Sequence, residues 1–131
     1  SGRGGATGDL DNDGDLDIVI SHVDLTGSPA ILLNDGGNKN NWLGITLSGP
    51  KGASATIGAQ LTLTIGELEL VRINQPSNAY LSNNDPRVHF GLNDQKKVDR
   101  LEIKWPSGNI EVFENLGINQ YLRIFEGKGI Q

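Results

Sequence analysis

The chain has 131 residues, of which 36% are hydrophobic, 21% charged and 5% aromatic, with a formal net charge of -5. That is enough for one ordinary domain with a thin core, and it excludes a large multidomain protein. Without Cys there are no disulfides, thiolate metal sites or cysteine nucleophiles, and no apolar run approaches the ~18 residues of a membrane-spanning helix.

The opening SGRGGATGD lacks the basic and apolar regions of a signal peptide, and the chain contains no Met. It is therefore expected to be a piece of a longer protein. Five of its 16 acidic residues fall within residues 9–17; the other 11 balance the 11 bases. Neither a basic stripe for nucleic acid nor a polybasic segment for a membrane surface remains, so neither partner is expected.

Those acids read Asp9-Leu-Asp11-Asn-Asp13-Gly14-Asp15-Leu-Asp17. Asp9, Asp11, Asp13 and Asp17 stand at positions 1, 3, 5 and 9 of a loop, Gly14 at position 6, and Asp15 at position 7 would offer its backbone carbonyl. Alternate carboxylates around a Gly turn bring hard oxygens to one centre, as Ca²⁺ requires. Without a cation, five carboxylates in nine residues repel one another. A solvated acidic turn would have no reason to keep Gly at the sixth place. Position 12 is Ile20, not a bidentate acid, and the exit Asp17-Ile-Val-Ile-Ser-His-Val is β-branched. The loop is thus expected to lead into a strand rather than an EF-hand helix.

Residues 24–29 then form a turn, with 30–34 (AILLN) as a hairpin partner. The Gly- and Asn-rich joint at 35–41 places a module boundary, giving a calcium-binding hairpin over 1–37 and a second module over 38–131. Beyond the joint, alternation predicts strands near 42–48, 59–65, 67–74, 79–82, 87–90, 98–105, 109–114 and 120–126. Leu61, Leu63 and Ile65 share one face, as do Leu101, Ile103 and Trp105. Pro106-Ser-Gly108 makes a compact hairpin turn. No window sustains helical spacing. The expected fold is all-β: an antiparallel β-sandwich preceded by a calcium-loop β-hairpin.

His89 is expected to be a packed strand histidine, and His22 has no second ligand at metal spacing. Glu67 with Glu69, and Glu111 with Glu114, read as surface acids rather than catalytic pairs. The segment 74–86, with Gln75, Asn78, Tyr80 and Asn83, is the best candidate ligand loop, against a plain connection. Trp42 and Trp105 are expected in the core rather than as sugar platforms.

The opening GRGGATGDLDNDGDLDIVISHVD with ILLNDGG resembles the last blade unit of an FG-GAP or VCBS-type β-propeller, whose blades carry such calcium loops. Residues 42–126 resemble the ASPIC/UnbV domain that follows such blades in cartilage acidic protein-like chains. The matching strings are Asn41-Trp-Leu43, Ile57-Gly-Ala59, Tyr80-Leu-Ser82, Val88-His-Phe-Gly-Leu92, Trp105-Pro-Ser-Gly108 and Asn119-Gln120. Where that domain reads H-F-G-L-G, this chain has Asn93, which tolerates a left-handed turn. One blade unit cannot close a propeller. Exposed Ile18, Ile20, Leu32 and Leu33 would then have to dock on the sandwich or on a second copy as a homodimer.

The resemblance implies a non-enzymatic interaction or adhesion module of a secreted, cell-surface or periplasmic protein, with Ca²⁺ held at Asp9, Asp11, Asp13, Asp15 and Asp17 and an unidentified protein or glycan as partner. An accessory domain of a biosynthetic enzyme and a carbohydrate-binding module are the alternatives.

Overall fold

The structure, a computed structural model, describes residues 2–23, 26–77 and 82–131. The chain divides into two compact units: Ser1–Lys39 with Pro76–Pro86, and Asn40–Gln75 with Arg87–Gln131. The fold is all-β, and no α-helix occurs among the described residues.

In the first unit, strands β1 (Gly2–Gly8), β2 (Asp17–His22) and β3 (Ala30–Leu32) form an antiparallel sheet in that order. The hairpin of β2 with β3 was expected; β1 was not. Its sequence GRGGATG is mostly glycine and has no apolar alternation to read, yet Ala6 pairs with Val19 and Gly8 with Asp17. The free edge of β1 is met by a segment from far along the chain. Asp85 N–H donates to Thr7 carbonyl at 2.9 Å, and Thr7 N–H donates to Asn84 Oδ1 at 2.9 Å. Gly8 is required by this approach, because a Cβ there would lie 2.9 Å from Asp85 Cβ. Ile18, Ile31, Leu32 and Leu33 are exposed, so this sheet has little apolar burial.

The second unit contains β4 (Asn41–Ser48), β5 (Gln60–Ile65), β6 (Leu68–Ile73), β7 (Val88–Asn93), β8 (Val98–Lys104), β9 (Ile110–Leu116), β10 (Gln120–Phe125) and β11 (Gly129–Ile130), with a 3-10 turn over Ala53–Thr56. They form two four-stranded sheets, β11-β10-β4-β7 and β6-β5-β8-β9. The expected strand at 79–82 falls mostly on residues outside those described. One pairing departs from the antiparallel expectation: β10 runs parallel to β4, Leu122 opposite Ile45. Parallel neighbours need a crossover rather than a hairpin, and here the intervening chain passes through the other sheet.

Period-2 alternation builds the core. Leu43, Ile45, Phe90 and Ile124 from one sheet meet Leu61, Leu63, Leu101 and Ile103 from the other, all fully buried, with Trp105 beside them. At about 1.5–3 kcal/mol per buried large apolar side chain, this layer is the main source of the unit's stability. Asn93 adopts φ 52°, the left-handed turn that its substitution for Gly requires. The 106–108 turn closes through Gly108 N–H to Trp105 carbonyl (3.0 Å) and Trp105 N–H to Asn109 carbonyl (2.9 Å).

Candidate metal centre

The acidic loop is the connection of the β1–β2 hairpin, so Asp9 and Asp17 start side by side at the paired strand ends. Positive φ at Asn12 (62°) and Gly14 (97°) turns the backbone inward. The carboxylates then collect the loop's own N–H groups. Asp9 Oδ1 accepts from Asp13 N–H (3.1 Å) and Oδ2 from Gly14 N–H (3.0 Å). Asp17 Oδ2 accepts from Leu10 N–H (2.8 Å), and its Oδ1 from Asn34 N–H (2.9 Å) just past β3. Asp11 Oδ1 accepts from Asp13 N–H at 3.3 Å, and Asp13 Oδ1 from Asp15 N–H at 2.9 Å.

One carboxylate oxygen each from Asp9, Asp11 and Asp17 lies within 4.8 Å of the others. Oxygens on opposite sides of a Ca²⁺ ion with bonds of about 2.3–2.6 Å are separated by about that distance. Asp9 and Asp17 are 3% and 1% exposed, so their charges are nearly withdrawn from water, whereas Asp11 is exposed. Asp11 has its pKa raised, first by partial desolvation and further by the charges of Asp13 and Asp17, against the lowering effect of the Asp13 backbone hydrogen bond.

Of the five sequence candidates, Asp13 and Asp15 are not in this three-carboxylate group. Asp15 is nevertheless 4% exposed, and its Oδ2 has no hydrogen-bond partner. A buried carboxylate oxygen without a donor is costly unless a cation neutralises it. Gly37 leaves room for this carboxylate, since a side chain there would run into Asp15 Oδ1. The donor set therefore fits a hard divalent cation: Asp9, Asp11 and Asp17 as carboxylate ligands, with backbone N–H groups fixing their orientation.

Asp85 was missed by the sequence reading. Its Oδ2 accepts from Asp9 N–H at 3.3 Å, so a residue 76 positions away supports the first residue of the loop. No local spacing could have revealed it.

The remaining candidates do not converge. His22 is exposed. His89 is half-buried, its ring stacked on Trp42 at 6.0 Å between centroids. Glu67, Glu69 and Glu114 are exposed, and Glu111 accepts from Gly127 N–H at 3.2 Å. Gln75 and Asn83 are exposed and belong to different units, while Asn78 and Tyr80 lie outside the described residues. Trp105 is in the core as expected, but Trp42 is not. Strand β4 points Leu43, Ile45 and Leu47 inward, so position 42 falls on the other face, where its ring lies 4.7 Å from that of Tyr121. Gly44 makes room there for the Tyr121 ring, over which the Arg87 guanidinium sits at 4.2 Å.

A two-sheet all-β module with its apolar core between the sheets thus accounts for most of the chain. Residues 49–131 match the ASPIC and UnbV family, and the chain belongs to that family. It is 37% identical over 111 residues to cartilage acidic protein 1 of Xenopus tropicalis and 33% identical over 111 residues to those of Mus musculus and Homo sapiens. These matches cover 83% of the chain but 17%, 17% and 16% of the respective relatives, so the chain spans about a sixth of their length.

Proposed function

We propose that this chain is a calcium-stabilised, non-enzymatic interaction module of a larger secreted or cell-surface protein, in which an FG-GAP/VCBS-like blade unit precedes the ASPIC/UnbV sandwich. The observation that carries the reading is the meeting of Asp9, Asp11 and Asp17, with one carboxylate oxygen of each within 4.8 Å of the others. Asp9, Asp11 and Asp17 would hold the ion, and the neighbouring carboxylates would add charge. The ion's contribution is electrostatic: it neutralises the loop and fixes the turn that aligns β1 with β2.

The compartment is supported by the relatives' name, that of an acidic cartilage protein. Among the described residues no helix is long and apolar enough to cross a membrane. Calcium loops of extracellular modules commonly bind at about 10⁻⁴ to 10⁻³ M, which suits such a setting. The carbohydrate alternative loses one of its two platforms, because Trp105 is buried.

A thermal melt of metal-stripped protein tests the reading. Millimolar Ca²⁺ is expected to raise the midpoint, adding about 1.4 kcal/mol at ten times Kd through RT ln(1 + [Ca]/Kd). Mg²⁺ should do much less, and Asp17→Asn should abolish the response. Equal effects of the two ions, or none from Ca²⁺, would overturn the site.

A further inference from the structure

The turn motif Trp105-Pro-Ser-Gly108 takes no part in the calcium reading, yet it forms one wall of a cleft of about 550 Å³ at an end of the sandwich. This is the size range of a small-ligand or side-chain pocket. Its opposite wall is the chain leaving β4 at Pro50, with Ala55 of the 3-10 turn, and Glu126 follows β10 into it.

The Glu126 carboxylate is held in one orientation. Its backbone N–H donates to Ser48 carbonyl at 2.9 Å, and its Oε1 accepts from Ser107 Oγ and from Asn109 Nδ2, the latter at 2.9 Å. Its Oε2 is turned toward Gly49, where a Cβ would come within 3.2 Å of it. Any side chain at position 49 would crowd that oxygen. Among the described residues Glu126 has no cationic partner. A fixed carboxylate between the apolar surfaces of Pro50, Ala55 and Pro106 is complementary to a cation on an aliphatic stem.

We propose that this cleft receives an arginine side chain presented by a partner protein, the guanidinium on Glu126 Oε2 and the methylene stem along Pro50, Ala55 and Pro106. Arginine suits the site better than lysine because its planar fork matches a carboxylate held in one plane. Outside residues 9–17 the acids and bases of the chain balance, so the attraction for a cation comes from the Glu126 carboxylate itself and not from the net charge. Lys51, which also lines the cleft, opposes the same cation and tempers the affinity. The proposal rests on the interaction-module reading only in taking a protein as the partner.

The test is a titration of the ¹⁵N-labelled chain with acetyl-Gly-Arg-Gly-amide, its citrulline and lysine counterparts, and glucose. The arginine peptide is expected to give saturable shifts at Gly49, Ser107, Asn109 and Gly127. Citrulline, which keeps the shape and loses the charge, should bind about tenfold more weakly, and E126Q should lose a similar factor at an unchanged melting temperature. K51A is expected to bind severalfold more tightly, an arm that holds even if E126Q folds poorly. Absence of saturable shifts at those four residues, equal binding of citrulline and arginine, or saturation by glucose instead would each overturn the proposal. The Ca²⁺ melt run on the same samples reads the metal site separately, so either reading can fail alone.

Discussion

The two units invert each other's use of side chains. The sandwich buries Leu43, Ile45, Leu61, Leu63, Phe90, Leu101 and Ile103 and leaves its charges outside, whereas the β1–β3 unit buries Asp9, Asp15 and Asp17 while exposing Leu10, Leu16, Ile18, Ile31, Leu32 and Leu33. Apolar burial needs no particular ion to stabilise, while buried carboxylates stabilise only when their charge is met. One unit should therefore be indifferent to calcium and the other dependent on it. The sharpest way to break that contrast is to damage the sandwich alone. Leu101→Ala removes a fully buried side chain at the centre of β8 and should cost about 2–5 kcal/mol in denaturant unfolding. The Ca²⁺-dependent increment should survive it; loss of that increment would mean that the units are not energetically separate.

A smaller effect is expected where a distant segment supports the loop. Asp85→Ala removes the acceptor for Asp9 N–H and the packing against Gly8, while leaving every carboxylate of the Asp9–Asp17 run in place. The expected cost is about 1 kcal/mol of calcium affinity, severalfold in Kd, read by calorimetric titration. An unchanged Kd would show that the loop organises itself without the Asp85 carboxylate.

How far the sequence foretold this division follows from the range of the interactions involved. The sandwich strands were legible because alternation is local: Leu61-Thr-Leu63-Thr-Ile65 declares its buried face within five residues. The acid spacing was legible for the same reason, whereas the left-handed turn at Asn93 was implied only by the resemblance to a domain that carries Gly there. Strand β1 was not legible, because a strand made largely of glycine carries no alternation. Asp85, and the parallel docking of β10 on β4, depend on pairings of residues 76 or more positions apart, which no window along the chain contains. Trp42 failed differently. Alternation had been taken to put Trp42 in the core, and the error lay in its phase: with Leu43, Ile45 and Leu47 buried, position 42 falls on the other face.

The smallest expected effect is the response to acid, and it has opposite signs in the two units. Asp99 has its pKa lowered, first by the Gly66 N–H hydrogen bond at 2.7 Å and then by Lys97 at 3.1 Å. Its contribution is present above the ordinary aspartate value and is lost as pH falls through the lowered one. Asp11 has its pKa raised by desolvation and by its acidic neighbours. A proton there favours the folded loop below the ordinary value, and this benefit is lost as pH rises through the raised one. Both side chains reach water, so the changes in stability are slight, and carboxyl ¹³C titration of the metal-free protein is the suitable measurement. Asp99 should titrate below, and Asp11 above, an ordinary aspartate. Calcium should move Asp11 downward, since the ion favours the ionised form, and leave Asp99 where it was. An Asp11 titration that ignores calcium would place this carboxylate outside the metal's coordination and leave the loop to Asp9 and Asp17.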